Sequence, residues 1–572
     1  RTWLYILGSL YLLIFAASAF CTILGLQPRG TRLLTALREG DLLKINRTSV
    51  ETRGFLCLIV IIVGYHLSVG PYTEIPSDFW EHLARVESRL LALQETLDQT
   101  LTLRHLSAVV HPDVIYWGHG LLALQNSAPA LDTSIGATLA LSIVFLGSVY
   151  WFTLSLVRQD FSFSPIARCL VGIFVVIFTA LSLGTSTFSY FRYYAYFPAI
   201  FCFPIVFLCV QLLLEYQNVN RASILNLLTI PLFFIVLGLV HLQELLFALI
   251  LVYGLILWRA AEAFFFPRTN DVSKARVHYR IATICVLATP LLIWMVLRFG
   301  TLRPWGYTPH TVGLPDWIPL LGGLPVANPT FRFWDTLGFF GVLGYIIYLT
   351  SFKQFQRSGY AFVGMVSPLL THFNPLYVYL FLHLNSSTTV WRTSYLMPLA
   401  YVVSVFLVKK ITCLMNRWSL KRLVVLSITL VLISTTLSPF QIGDYVNRLS
   451  RIPSLLPTEE GSGRLLWDDL ISEVRRIKQD ESAQGFVTDH VTQFVIDSAV
   501  LGRIPIRNST HYFPKRNNEY QGDLLASDFS DHFLILNNRG GRPSGSALNS
   551  GHWASNTLNT SRLYPDRIEE FI

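Results

Sequence analysis

Charge is scarce in this chain. Of its 572 residues only 14% are charged, against about 25% in an ordinary soluble domain. Methionine occurs four times, and the seven cysteines (Cys21, Cys57, Cys169, Cys202, Cys209, Cys285 and Cys413) all lie within or beside apolar stretches. No two of them have CxxC spacing and none falls beyond residue 440, so neither a zinc site nor a disulfide scaffold is indicated. GxGxxG, a Walker loop, HExxH and GxSxG are also missing, which removes the commonest nucleotide-binding, zinc-peptidase and hydrolase signatures.

What is abundant is apolar surface. Hydrophobic residues make up 52% of the chain, with 40 Phe, 25 Tyr and 13 Trp, and the mean hydropathy is +0.48. A water-soluble chain of this size cannot hide that much apolar surface, so soluble and disordered readings are excluded. The composition is that of a polytopic membrane protein.

The net charge of +9 resembles a nucleic-acid signal until it is divided along the chain. Residues 1–440 hold 30 Lys/Arg and 18 Asp/Glu, a net of +12, and residues 441–572 hold 14 and 17, a net of −3. The basic excess belongs to the apolar part, where membrane orientation accounts for it. No nucleic-acid partner is implied.

About 20 apolar residues are needed to cross a bilayer as a helix. Twelve stretches qualify, near 3–26, 54–71, 135–157, 166–187, 196–216, 222–240, 243–259, 280–298, 336–351, 359–373, 395–412 and 422–440. Pro231, Pro290 and Pro368 fall inside three of them, and 374–384 is apolar but too short to span. With the loop 27–53 in the cytoplasm, that side gathers 21 of these Lys/Arg and the outward loops between spans hold eight, which fixes the orientation and puts the tail outside the cytoplasm.

The chain therefore divides into an N-terminal span with a basic cytoplasmic loop (1–53), a multi-helix membrane core (54–440) and a soluble extracytoplasmic region (441–572). In the long outward loop 72–134, Leu83, Val86, Leu90, Leu93 and Leu97 recur at helical steps and predict an amphipathic helix lying on the membrane surface. A second helix is expected from Trp117 to Gln125. The tail alternates helix and strand signals: helix at Leu465–Lys478, strand at Gly485–Thr488, helix at Val491–Leu501, strands at Ile504–Ile506 and Phe533–Leu536. That order predicts a small α/β domain.

Four places carry residues suited to chemistry. The first is Ser77-Asp78-Phe79-Trp80-Glu81-His82, where Asp78, Glu81 and His82 share one side of a helical turn. A carboxylate there suits a general base, and helix capping is the plain alternative. The second is the aromatic turn from Phe188 to Pro198, with Arg192 and Tyr193 placed for an anion or a sugar, or for an interfacial belt. The third is His241-Leu242-Gln243-Glu244, a tight polar connection between two apolar helices. The fourth runs from His383 to Trp391-Arg392-Thr393-Ser394-Tyr395, where Arg392 is the only cation of its outward loop. It suits a phosphate at the membrane surface, or serves as an interfacial anchor.

Together these elements resemble the type C integral membrane glycosyltransferases, which use polyprenyl-phosphate-linked sugars. The likeness covers the architecture of residues 54–572, the Asp78–Glu81 stretch as an acidic motif, and the 188–198 and 391–395 stretches as donor-binding regions. One departure is clear: the acidic loop follows the second helix here, where the family usually has it after the first.

The resemblance implies a polytopic α-helical fold of about twelve transmembrane helices with a soluble C-terminal α/β domain on the non-cytoplasmic side. It implies inverting transfer of a sugar from a polyprenyl-phosphate donor to a glycan, lipid or protein acceptor, with Asp78 or Glu81 as base. Arg392 and Arg192 would hold the leaving phosphate; His82, Tyr193, His241, Glu244, His383 and Tyr395 would line the substrate pocket. Members with and without a divalent metal exist; magnesium or manganese would sit on Asp78 and Glu81. A bacterial inner membrane fits best, with the tail periplasmic and available to a protein partner. The alternatives are a non-catalytic membrane subunit derived from such an enzyme, or a transporter or ligase of lipid-linked glycans.

Overall fold

The computed structural model describes residues 50–69, 130–182, 198–216, 224–265, 332–355, 358–378 and 387–415, apart from 356–357. It also describes five short strands and single positions at 83, 86, 116, 118–120, 123, 284 and 288. The expected spans 3–26 and 422–440 lie outside the described residues, and of 280–298 only Ile284 and Ala288 are described, both helical.

Helices occupy the other nine expected spans. They are α1 (Val50–Val69), α2 (Ala130–Asp160), α3 (Pro165–Ile177), α4 (Pro198–Tyr216), α5 (Ile224–Val240), α6 (Leu242–Phe265), α7 (Arg332–Thr350), then the single turn α8 (Phe352–Phe355), α9 (Gly359–Leu370) and α10 (Leu399–Met415). Among the described residues, three segments are long and apolar enough to cross a membrane: Leu139–Asp160, Gln243–Glu262 and Arg392–Cys413.

Local chemistry sets several of the ends. Ser164 caps α3, its hydroxyl accepting from the Ala167 amide at 3.3 Å, and Pro165 follows in the first turn. Ser358 caps α9 in the same way through the Ala361 amide. At its far end α3 widens into a π-turn over Phe178–Ser182, a local irregularity that such turns introduce within helices.

The helices pack as one bundle. α2 lies against α3 and α4, α4 against α6, α6 against α9, and α10 against α3 and α7. Small residues allow the closest approaches, as in membrane helix pairs. A β-carbon on Gly254 would lie 2.5 Å from Val363, and one on Gly172 would lie 2.7 Å from the Tyr150 ring. Aromatic pairs fill the centre: Phe152 stacks on Phe207 at 5.0 Å and meets Tyr360 edge-on at 5.0 Å.

The exterior is apolar too. Val60, Leu257 and Leu349 are each about two-thirds exposed or more, a pattern that lipid rather than water favours.

One ionic brace ties three helix ends together. Glu51, in the first turn of α1, accepts from Arg158 at the end of α2 at 2.6 Å and from Arg168 of α3 at 2.8 Å. The two arginines converge on opposite oxygens of one largely buried carboxylate, so the burial of each charge is offset by a close partner.

Two expectations need correction. Leu83 and Val86 are helical but fully buried in the main core, so that helix packs on protein at these positions and does not lay them on lipid. The apolar run expected to start a helix at 395 does so at Leu399 instead, because residues Ser387–Leu396 wind as a 3-10 helix and Pro398 intervenes.

Five strands are described. β1 (Trp317–Pro319) and β2 (Pro325–Ala327) pair antiparallel. In the tail, β3 (Gly485–Thr488) lies between β4 (Ile506–Asn508) and β5 (His532–Leu534), parallel to both. Parallel neighbours require crossover connections, for which residues 489–505 and 509–531 have the length. The helices expected at 465–478 and 491–501 lie outside the described residues.

Candidate functional site

Among the described residues, two breaks in helical structure are lined with buried polar groups. The first is the junction of α5 and α6. A single residue, His241, separates them. Its amide still donates to Leu237 at 2.7 Å, and its carbonyl accepts from Leu245 at 3.3 Å, so it ends one helix and begins the next.

In the first turn of α6, Glu244 is completely buried. One carboxylate oxygen meets Nδ1 of His241, and the other accepts from the Gln243 side-chain amide at 3.2 Å. The acid is therefore held by two side chains and by the positive end of the α6 dipole. Cys202 of α4 lies within electrostatic reach of it.

The second break runs from the end of α9 to the start of α10. Pro368 ends the regular ladder, its carbonyl accepting from Thr371 at 3.3 Å and Phe373 at 3.0 Å. Asn374 then starts a new turn, accepting from the Leu376 and Tyr377 amides at 3.1 and 3.3 Å.

Further on, the 3-10 helix Ser387–Leu396 spans ten residues, far beyond the three or four that such helices usually last. Its Ser- and Thr-rich start weakens the α-helical alternative. Tertiary contacts hold it in place. The Thr393 hydroxyl lies 3.0 and 2.9 Å from the two ring nitrogens of His372. The Tyr395 ring meets Phe203 of α4 at 5.5 Å and Phe247 of α6 at 6.4 Å. Leu396 and Pro398 press on Gly364 in the middle of α9, where a side chain would collide with them.

These contacts join the two breaks. Phe247 lies one turn beyond Glu244 on α6, and Tyr395 lies one turn beyond Arg392 on the 3-10 helix, where three residues per turn bring both onto one face. The structure thus brings His241 and Glu244 together directly, and links them to Tyr395 and the half-buried Arg392 through Phe247. Irregular backbone within a membrane bundle persists only where protein or a cavity surrounds it. Here Thr371, His372, Thr393 and Ser394 are all buried.

Asp78, Glu81, His82, Arg192, Tyr193 and His383 lie outside the described residues. Among the described residues no group of three or more His, Cys, Asp or Glu side chains is arranged to hold a metal. The sequence pattern placed Thr393 and Ser394 within a donor-binding stretch without singling either out, and it missed His372. The available signal was a histidine followed by Phe-Asn-Pro at the end of an apolar run, a point where a helix must stop. It also missed Glu51 with its two arginines, whose opposite charges sit at three helix ends on one expected side of the membrane.

On the same outward side as the α5–α6 junction in the expected topology is His119, which is helical, buried and 3.0 Å from the Thr133 hydroxyl. Burial pushes its pKa down to about 4, because the charged imidazolium loses its hydration there.

No protein-family model matches the chain, and no curated protein matches it.

Proposed function

We propose that this chain is a multi-pass membrane glycosyltransferase that moves a sugar from a polyprenyl-phosphate donor to an acceptor at the outer face of a bacterial inner membrane. The observation that carries the reading is the anchored segment Arg392–Tyr395, fixed at Thr393 by His372 and at Tyr395 by the helix that bears Glu244. A guanidinium on a rigid, largely buried support suits a phosphate leaving group, and a buried carboxylate–imidazole pair nearby suits sugar hydroxyls.

In this reading Asp78, or Glu81, removes the proton of an acceptor hydroxyl. The oxygen attacks the anomeric carbon, and the bond from that carbon to the phosphate oxygen breaks. The bonding electrons leave with the lipid phosphate, whose charge Arg392 offsets, with Arg192 assisting. The configuration at the anomeric carbon inverts. Twelve spans, an extracytoplasmic α/β domain over 441–572 with a protein partner, and a metal on the acidic motif where one is used complete the proposal.

The test compares the purified chain with its Asp78→Asn, Glu81→Gln and Arg392→Ala variants on a panel of polyprenyl-phosphate sugars, reading sugar release. We expect turnover in the wild type, abolished in one acidic variant and strongly reduced in Arg392→Ala, with melting temperatures preserved. Equal turnover in all four proteins sinks the assignment.

A second reading is favoured by the two helix breaks themselves: a carrier for lipid-linked glycans, in which broken helices bind polar cargo within the bilayer. Saturable donor binding without sugar release, together with donor movement across reconstituted vesicles, would select it.

A further inference from the structure

Two guanidiniums share one carboxylate where the ends of α1, α2 and α3 meet, so the trio of Glu51, Arg158 and Arg168 carries an excess positive charge. Among the described residues neither arginine has a second acid within ion-pair distance. Asp160, two residues beyond Arg158, is engaged elsewhere: it accepts from the Tyr401 hydroxyl at 3.2 Å and lies in the field of Arg259.

The arginines also have donors to spare. A guanidinium carries five N–H groups. Arg158 commits only Nη2, to Glu51, and Arg168 commits Nε to Glu51 and Nη1 to the Phe163 carbonyl at 2.9 Å. The acid is 7% exposed, whereas the two arginines are 23% and 22% exposed. Both cations therefore stay open to what surrounds the bundle while their shared anion does not.

Their position narrows the partner. Arg158 lies in the last turn of α2, at the end of the apolar segment Leu139–Asp160 that is long enough to cross a membrane. A cation at the end of such a span stands at the level of the lipid headgroups. The same helices present open apolar side chains: Leu56 and Val60, further along α1, are 44% and 71% exposed, and Ile166 in the first turn of α3 is 62% exposed. A soluble anion answers the charge and leaves that surface bare; an anionic lipid answers the charge and covers the surface with its acyl chains.

We infer that Arg158 and Arg168 hold the headgroup of an anionic phospholipid at this end of the bundle. The site does not depend on sugar transfer. Glu51 positions the two guanidiniums, and the lipid phosphodiester accepts from their remaining N–H groups and balances the excess charge. A zwitterionic headgroup brings a cation of its own and cannot do so.

The experiment places the full chain in nanodiscs of phosphatidylcholine, or of phosphatidylcholine and phosphatidylglycerol in equal parts. Native mass spectrometry reads which lipids stay with the protein, and thermal unfolding reads stability. We expect phosphatidylglycerol to be retained preferentially, and Arg158→Gln or Arg168→Gln to lower that preference about fivefold each. Arg168→Lys, which keeps the charge, should lose less. Lys409→Gln removes an exposed cation of α10 and should leave the preference unchanged.

Glu51→Gln separates lipid binding from bracing. It should melt lower than wild type in phosphatidylcholine, keep its preference for phosphatidylglycerol, and regain stability in the mixed nanodisc, where lipid phosphate replaces the missing carboxylate. If an arginine variant does not fold, this comparison decides alone. Equal retention of the two lipids, a loss in Lys409→Gln as large as in the arginine variants, or displacement of the lipid by inorganic phosphate overturns the site. So does a Glu51→Gln protein destabilised equally in both nanodiscs, which would make the arginines a structural brace and nothing more.

Discussion

The ring of Tyr395 meets that of Phe247 nearly edge-on, with centroids 6.4 Å apart and planes at 78°. This contact joins a 3-10 segment that begins after a helix break to the helix whose first turn buries Glu244. Edge-to-face pairs of this kind are worth about 0.5–1.5 kcal/mol beyond their buried area. In a double-mutant cycle of Tyr395→Leu and Phe247→Leu, the coupling measured by thermal unfolding should fall in that range. A coupling indistinguishable from zero would mean that the two breaks are independent.

Glu51 should be the most sensitive acid at its end of the bundle. Glu51→Gln leaves Arg158 and Arg168 without their shared carboxylate, and both are only 22–23% exposed against 7% for the acid. Breaking a fully buried pair costs about 3–5 kcal/mol; with partly exposed arginines the loss should be on the order of 2 kcal/mol. Comparison of melting temperatures checks this, and a value unchanged in Glu51→Gln would show that the brace contributes nothing.

Two glycines make a matched pair. A β-carbon on Gly364 would meet Pro398 and lie 2.7 Å from the Leu396 carbonyl oxygen, backbone that cannot swing away, whereas one on Gly64 meets nothing within 4 Å. Alanine is the better helix former by about 1 kcal/mol. Gly64→Ala should therefore be neutral or stabilising, and Gly364→Ala destabilising despite its gain in propensity. The same thermal assay separates them, and a stabilised Gly364→Ala would contradict the packing of the α9–α10 junction.

His119 gives the protein a pH dependence. Its folded pKa of about 4 lies below the ordinary 6.5, so between those values the unfolded chain binds a proton that the folded chain does not. Stability from this group is fully present above pH 6.5 and is lost as the pH falls toward 4, by on the order of 3 kcal/mol. His119→Gln, which never charges, should flatten that part of the stability profile. Parallel profiles for the two proteins would argue against the burial.

Much of the helical pattern was legible because apolar runs announce themselves without any partner: α2, α6 and the other expected spans appear where hydropathy puts them. The His241–Glu244 pair was legible for a similar reason, since three residues of spacing at a helix start need no tertiary knowledge. The His372–Thr393 bond was not. Those residues are 21 positions apart, and their meeting depends on a chain reversal that no periodicity encodes. Glu51 and Arg158, 107 positions apart, are the same case at greater distance. The 3-10 helix escaped because its Ser- and Thr-rich start reads as a loop, and only contacts with α4, α6, α7 and α9 give it form.

The single-residue joint at His241 also bears on how the chain is made. If both helices enter the bilayer, two helices of 17 and 24 residues with no slack between them would enter it as a hairpin, folded back to back. Since His241 and Glu244 are three residues apart at its tip, their bond can close at that moment, before any other helix arrives. The most buried acid described here would then be sheltered by its own hairpin from the start of biogenesis, leaving later helices to dock on a finished tip.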